Sequence, residues 1–375
     1  MDYISSVPAR IRELVCRVCC HPLRSSIVWC HMPPLTDSET DDLNACRILL
    51  RGGSKSFDAA ARLLPRSVRD PAIALYAFCR DADDTIDAAT GSLERLRERL
   101  ALAYEGRPLA TPADRAFARV VERFAMPRAL PDALLEGFAW DEEGRRYRDL
   151  SGLRAYAVRV AGTVGAMMAV LMDVRDPPRL AAAINLGVAM QLSNIARDVG
   201  EDARNGRLYL PLDWLAEAGI DPDAFLARPQ YSAALGRVVR RLLDAADAHY
   251  RQATAGIVHL PPRCRLGIGA ARLLYAEIGR EVARRGMDSV SARAVVSGRR
   301  KLGVLAAGLP GMALKPRPLP GACMAEGIFL VHAVARVTPG TRFAGDAPRW
   351  WAVAEKMRWT LDLFDRLEQR ERIQL

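Results

Sequence analysis

Long apolar runs are missing from this sequence. No stretch reaches the ~18 uninterrupted apolar residues that a membrane-spanning helix needs. The nearest run, residues 160–172, is closed by Arg159 and Asp173 and is typical of a buried helix. Nor does the N-terminus resemble a secretory signal, because Arg10 and Arg17 interrupt the place where its apolar core should run. We therefore expect a cytoplasmic protein.

Aromatic residues are scarce too. They make up 6% of a chain that is 50% hydrophobic, in which alanine, leucine, arginine and valine dominate. This composition favours long helices over β-sandwiches or barrels. No internal repeat, low-complexity run or Gly-x-Gly-x-x-Gly dinucleotide fingerprint occurs. The sequence predicts an all-α protein.

A second pair of cysteines at metal-site spacing is also lacking. Four of the eight cysteines lie within the first thirty residues, near His21 and His31, and the others are spread beyond them. The first group suggests zinc, but no second pair stands at the spacing of a structural zinc site. In a reducing cytosol we expect thiols.

What the chain does have is positive charge, a formal net +10 that comes mainly from arginines interleaved with acids. Such a surface suits nucleic acid, anionic lipid or a polyanionic small substrate such as a diphosphate. A solvated basic surface without a specific partner is an equal alternative. No nucleic-acid-binding motif accompanies the charge, so we expect no nucleic-acid partner.

The positions of glycine and proline and the presence or absence of helical periodicity divide the chain into three expected segments. Residues 1–45 lack sustained helical periodicity, and we expect a disordered leader, or a mis-assigned start because Met32 could begin translation. Deleting residues 1–31, so that translation begins at Met32, is expected to leave activity intact. Residues 46–307 are expected to form one catalytic domain. Residues 308–375 are expected to form an extension with a terminal amphipathic helix at about 349–373.

One predicted helix opens at Asp70 and Pro71, a capping residue followed by proline, and ends near Gly91. Along it an apolar stripe repeats at spacings of four, three and four residues. A polar stripe lies beside it at the same spacings and consists of Tyr76, Arg80, Asp83 and Asp87.

A second predicted helix, from Asp176 to about Gly206, carries Gln191, Asn194, Asp198 and Asp202 on one face. Carboxylates four residues apart repel each other by a few tenths of a kcal/mol, so helix stability alone would disfavour two such pairs. Both pairs can share oxygen-seeking cations with an incoming polyanion, and magnesium suits that task. The alternative is a solvated acidic face neutralised by arginine.

Five stretches resemble the squalene and phytoene synthase family. They are SKSF at 54–57, ALYAFCR at 74–80 running into DDTID at 83–87, VAGTVG at 160–165, QLSNIARDVGED at 191–202 and GRLYLP at 206–211. The last two together are highly specific, and the resemblance covers about residues 54–301. One departure is Gly53, where some relatives carry histidine, so part of the first diphosphate contact is open.

The resemblance implies an isoprenoid synthase helical bundle around a central apolar cavity. By position it implies a first metal site of Asp83 and Asp87 and a second of Asn194, Asp198 and Asp202. It implies diphosphate contacts from Ser54, Ser56, Arg80 and Arg197, and it places Tyr156 and Tyr275 beside the reacting carbons. Buried core tyrosines are the alternative for the last two. The expected cofactor is Mg²⁺, or Mn²⁺ in its place, with no nicotinamide.

The implied reaction joins two geranylgeranyl diphosphates head to head, through prephytoene diphosphate, to give phytoene, a committed step towards carotenoids. The runner-up is a dehydrosqualene or squalene-type synthase that uses two farnesyl diphosphates. A non-enzymatic helical assembly factor is disfavoured, because all four aspartates of the two pairs are present. The sequence leaves the oligomeric state open.

Membrane contact is expected to be peripheral, on the inner membrane. The small residues at 162–169 would either leave room for a prenyl tail or let a neighbouring helix approach. The C-terminal helix mixes aromatic and cationic side chains, which suits a lipid headgroup region, although core packing of its tryptophans is the alternative. These residues are Arg349, Trp350, Trp351, Lys356, Arg358 and Trp359.

Overall fold

The structure, a computed structural model, describes residues 36–53, 55–87, 93–314, 318–319, 321 and 323–337. Within these ranges every regular element is a helix, which confirms the predicted all-α class. The α-helices are α1 (Asp37–Gly53), α2 (Lys55–Ala61), α3 (Arg66–Asp87), α4 (Leu93–Tyr104), α5 (Pro112–Phe124), α6 (Ala129–Glu142), α7 (Leu150–Ala157), α8 (Thr163–Leu171), α9 (Pro177–Arg204), α10 (Leu212–Glu217), α11 (Pro222–Ala227), α12 (Ala233–Ile257), α13 (Pro262–Arg284), α14 (Gly298–Leu314) and α15 (Ile328–Ala335). A π-helical turn, Val158–Gly162, joins α7 to α8, and a 3₁₀ turn, Ala325–Gly327, precedes α15.

Helix α9 has the bounds that the sequence predicts. The Asp176 carboxylate accepts a hydrogen bond from the backbone N–H of Arg179, and Pro177 occupies the first helical position. Beyond the last turn Gly206 adopts a left-handed φ of 74°, which glycine tolerates best. Asp176 and Pro177 thus determine where the helix begins, and Gly206 determines where it ends.

Helix α3 differs from its prediction at the N-terminal end. It begins at Arg66, so Pro71 lies inside the helix and Asp70 is not its cap. Asp70 is instead buried, and it accepts a hydrogen bond from Arg47 of α1 at 3.2 Å. The pairing of this buried carboxylate across two helices outweighs the local capping signal. Pro71 has no N–H to donate to the carbonyl oxygen of Ser67, so the helix lacks one backbone hydrogen bond at this point.

The expected segment boundaries do not coincide with helix ends. Helix α1 begins at Asp37, inside the expected leader, and its buried Asp42 accepts hydrogen bonds from Arg115 and Arg119 of α5. Helix α14 runs without a break across residues 307 and 308. The cysteine and histidine group at 16–31 and the helix expected at 349–373 lie outside the described residues.

Helix α9 is the centre of the bundle, since α8, the π-helical turn, α12, α13 and α15 all pack against it. The segment Leu150–Leu171 is long and apolar enough, by length and composition, to cross a membrane. However, 61% of the most apolar 18-residue stretch of this segment is buried inside the bundle. The core helix of a globular protein has the same length, composition and burial.

Helix α9 approaches α8 and the π-helical turn backbone to backbone. A Cβ built on Gly187 of α9 would lie 2.1 Å from the carbonyl oxygen of Ala161. A Cβ on Gly165 of α8 would lie 2.2 Å from the carbonyl oxygen of Ala183. Of the two roles predicted for the small residues here, the structure therefore shows the close approach of a neighbouring helix at Gly165.

We expect Gly187→Ala to destabilise the protein by about 1–3 kcal/mol, because the new methyl group must push two helix backbones apart. The matched control is Gly303→Ala on α14, an exposed helical position where a Cβ meets no atom within 4 Å. That change should be neutral or stabilising by up to about 1 kcal/mol. Denaturant unfolding of both variants measures the difference. Equal stability of Gly187→Ala and the parent protein would contradict the close packing.

Candidate active site

A cavity of about 430 Å³ lies among α3, α6, α8, α9, α12 and α13. Most of its wall is apolar and includes Leu75, Leu134, Val164, Met168, Leu186 and Met190. Helices α3, α6, α7, α9 and α13 also contribute polar residues to the lining, most of them near one end of the cavity. Those near that end are Tyr76, Arg80, Asp141, Tyr156, Gln191, Asn194 and Tyr275, whereas Arg179 lines the cavity from the N-terminal end of α9.

Asp141, near the end of α6, organises two tyrosines at this polar end. The hydroxyl of Tyr156 donates to its Oδ2 atom at 2.8 Å, and the hydroxyl of Tyr209 donates to its Oδ1 atom at 2.7 Å. The two rings stack with centroids 5.2 Å apart. Both hydroxyls are thus fixed by one carboxylate, and the Tyr156 ring forms part of the cavity wall.

Both tyrosines stay protonated. Burial, and then the neighbouring Asp141 carboxylate and Tyr209, raise the pKa of Tyr156 well above its ordinary value. Burial, and then Asp141, also raise the pKa of Tyr209. At neutral pH the polar end therefore presents neutral phenols rather than phenolates.

Asp198 is held by two arginines. Arg197 Nε donates to its Oδ1 atom at 2.7 Å, and Arg197 also reaches Oδ2. From the segment after α13, Arg293 adds a second bidentate pair, with Nε 2.9 Å from Oδ1 and Nη2 3.2 Å from Oδ2. Bidentate guanidinium pairs are strong and directional. Two guanidinium groups therefore meet at Asp198, and the oxygens of a polyanion could replace this carboxylate as their hydrogen-bond acceptor.

The second expected metal site shows two signs of missing positive charge. Burial, and then the nearby Asp198 and Glu201 carboxylates, raise the pKa of Asp202 to about 7. The Asn194 Oδ1 atom is buried and has no hydrogen-bond partner among the described residues. An amide oxygen and carboxylates are ligands that Mg²⁺ accepts, so these residues fit the ion.

The described part of the chain holds no ready-made cluster of three or more metal-binding side chains. That part excludes the side chains of Asp83 and Asp87, and also Ser54 and the side chain of Ser56. The described backbone of α3 does continue through Asp87, so both aspartates follow Arg80 in helical register.

Of the predicted site residues, the structure brings Arg80, Tyr156, Asn194 and Tyr275 together on the cavity wall. The departure at Gly53 has a structural correlate, because a Cβ there would lie 2.2 Å from the Tyr76 hydroxyl. This glycine lets a cavity tyrosine approach the end of α1.

Sequence reasoning missed Asp141, Tyr209 and Arg293. Asp141 stands in an acidic run at a helix end, which is typical of an exposed terminus, and its partners lie 15 and 68 residues away. Arg293 reaches Asp198 across 95 residues. No local spacing signals such contacts, although the position of Tyr209 within the GRLYLP stretch was a cue.

The family model described as squalene/phytoene synthase matches residues 50–300. The chain is 54% identical over 316 residues to a phytoene synthase from Cereibacter sphaeroides, covering 80% of this chain and 89% of the relative. It is 44% identical over 282 residues to a 15-cis-phytoene synthase from a Paracoccus strain, covering 72% of this chain and 91% of that protein.

Solved structures share the fold. A dehydrosqualene synthase in complex with a ligand superposes with a TM-score of 0.66 at 29% identity, over 73% of this chain and 96% of the other. Squalene synthase HpnC from Alicyclobacillus acidocaldarius superposes with a TM-score of 0.62 at 26% identity, over 67% of this chain and 97% of the other. The predicted isoprenoid synthase fold is confirmed.

We expect Asp141→Ala to lower the free energy of unfolding by roughly 1–3 kcal/mol for each tyrosine hydroxyl that it leaves without this acceptor. Adding Tyr156→Phe and Tyr209→Phe should recover part of the loss, because the orphaned hydroxyls are then absent. Asp132→Ala, at a half-exposed position of the same helix, is the control and should cost less than about 0.5 kcal/mol. Denaturant unfolding checks all four proteins, and an Asp141→Ala variant as stable as the parent would refute this network.

Proposed function

The chain belongs to the squalene/phytoene synthase family, and we propose that it joins two geranylgeranyl diphosphates head to head to give phytoene for carotenoid biosynthesis. One observation carries this proposal: the cavity wall is mostly apolar, while Arg80, Asp141, Gln191 and Asn194 line one end of it. Such a cavity matches a substrate with a polyanionic head and a long hydrocarbon tail. The relatives at 54% and 56% identity, both named phytoene synthase, support the choice of product.

The polar end would bind the diphosphates. Arg80 lines the cavity there, and Arg197 and Arg293 converge at Asp198; guanidinium groups form strong charge-assisted hydrogen bonds to phosphate oxygens. The resemblance of the SKSF stretch adds the hydroxyls of Ser54 and Ser56.

Magnesium is proposed as the cofactor, with Mn²⁺ as a substitute. Asn194, Asp198 and Asp202 on α9 would hold it, and Asp83 and Asp87 on α3 join them by the family resemblance. When bound, the ion supplies positive charge that offsets the charge developing on the departing diphosphate.

The apolar wall would protect the reacting carbons. Loss of diphosphate from one chain leaves an allylic cation, to which the double bond of the second chain adds. The resulting cation loses a proton as the cyclopropane ring closes, which gives prephytoene diphosphate. A second ionisation, a rearrangement and the loss of a proton then give phytoene. Val164, Met168 and Met190 offer water no hydrogen-bonding group, so this part of the wall would disfavour the water that quenches such cations.

Tyr156 is proposed to lie beside these cations as a neutral phenol. Its hydroxyl proton is engaged by Asp141, and its raised pKa disfavours a phenolate, which would add to a carbocation. The electron-rich face of a phenol ring stabilises a passing positive charge without forming a bond. Tyr275, which also lines the cavity, is proposed to do the same.

The second candidate is condensation of two farnesyl diphosphates, because solved structures with this fold include a dehydrosqualene and a squalene synthase. Their identity to this chain is 29% and 26%, about half that of the phytoene synthases at 54% and 56%. Phytoene is therefore the preferred product.

We expect Asp198→Asn to reduce turnover by about a hundredfold or more, because the neutral amide weakens both cation binding and the hold on Arg197 and Arg293. Asp244→Asn, at an exposed position of α12, is the matched control and should keep full activity. A second readout is the rise in melting temperature that Mg²⁺ with inorganic diphosphate gives the parent protein, which should shrink in Asp198→Asn. Near-normal turnover together with an unchanged Mg²⁺ response would refute the assignment.

We also propose that the protein works as a peripheral membrane protein on the cytoplasmic side of the inner membrane. Its proposed substrates have greasy tails, its product is wholly apolar, and its net charge of +10 would attract anionic lipid. The mixed aromatic and cationic segment at 349–359 is the proposed contact.

Binding to anionic liposomes should weaken as salt rises, since the attraction is partly electrostatic. It should fall further when Trp350, Trp351 and Trp359 are replaced by alanine, because tryptophan favours the headgroup region. Co-sedimentation with vesicles of stated anionic content measures both effects. If the folded triple variant binds as well as the parent protein, this segment is not the anchor.

A further inference from the structure

The lining of the cavity along α9 provides a scale of depth. Asn194 marks the polar end, the lining positions continue through Leu186 to Ala183 and Ala182, and Arg179 is the last lining residue on this helix. Because an α-helix rises 1.5 Å per residue, Leu186 lies about 12 Å, Ala183 about 17 Å and Ala182 about 18 Å from Asn194 along the axis.

Around Ala182 and Ala183, the neighbouring helices α8 and α12 already lie as close to α9 as their atoms allow. A Cβ on Gly256 of α12 would lie 2.3 Å from the Cβ of Ala182, and one on Gly165 of α8 would lie 2.2 Å from the carbonyl oxygen of Ala183. Both glycines also line the cavity. The space at this level therefore depends on the small side chains of α9 and not on a gap between helices.

The substrate provides a matching scale. An extended chain advances about 1.2 Å per bond, so a farnesyl chain, with twelve carbons in line, reaches about 13 Å and a geranylgeranyl chain, with sixteen, reaches about 18 Å. The fourth isoprene unit thus occupies the interval from about 13 to 18 Å. Ala183 and Ala182 lie at the end of that interval, whereas Leu186 lies just before it.

We propose that Ala182 and Ala183 are the residues that admit the fourth isoprene unit and thereby set the preference for twenty-carbon over fifteen-carbon chains. The inference deepens the proposed function and rests on it. A larger side chain at position 183 takes up the space of the last isoprene unit and leaves the space for the first three unchanged.

The test measures binding of two unreactive analogues, the thiolodiphosphates of the farnesyl and geranylgeranyl chains, by calorimetry with Mg²⁺. Ala183→Leu should weaken the twenty-carbon analogue about tenfold or more, the discrimination that a crowded apolar pocket gives. The fifteen-carbon analogue should keep its affinity. The control is Val160→Leu, one turn beyond Tyr156 at a level that both chains pass, which should affect the two analogues alike.

Ala183→Val is the second variant, in case the leucine variant fails to fold, and should change the binding ratio in the same direction. An unchanged ratio in a folded position-183 variant would overturn the inference while leaving the proposed function in place. If the parent protein binds neither analogue, the proposed function itself fails.

Discussion

The contact between α9 and the segment just before it determines the geometry of the whole site. Gly187 and Gly165 bring the backbones of α9, the π-helical turn and α8 within van der Waals contact, which fixes the position of α9 along its length. That helix carries Asn194, Asp198 and Asp202 near its C-terminal end and the small residues 182 and 183 towards its N-terminal end. A shift of α9 would therefore displace the head and the tail of a substrate together.

The second constraint is electrostatic. Burial makes a charged carboxylate costly near the polar end, and neighbouring carboxylates add repulsion; both raise the pKa of Asp202. In this structure two arginines neutralise Asp198, while Asn194 Oδ1 has no partner among the described residues. A polar end with this imbalance is suited to bind cations and a polyanion together, since each relieves the charge of the other. Asp141 has a different role, because each of its two carboxylate oxygens accepts a hydrogen bond from one tyrosine hydroxyl.

Sequence patterns predicted the parts of the site that depend on local periodicity. The capping residue Asp176, Pro177 and the spacing of residues 191–202 predicted the bounds and the polar face of α9 correctly, because a helix determines which residues share a face. The start of α3 was predicted wrongly, because Asp70 is paired with Arg47 of another helix, which no local signal reveals. Asp141 and Arg293 were missed for the same reason: their partners are distant in sequence. The cavity itself depends on how the helices pack, and a list of small residues could not decide between a gap and a close contact.

The most direct test of this account is the product that the purified protein forms from geranylgeranyl diphosphate in the presence of Mg²⁺. Gas chromatography with mass spectrometry of the extracted hydrocarbons identifies it without assumptions about mechanism. The account predicts the forty-carbon hydrocarbon phytoene, with prephytoene diphosphate as the intermediate that accumulates when the second ionisation is slowed. A folded protein that forms no hydrocarbon from this substrate but makes a thirty-carbon product from farnesyl diphosphate would contradict it.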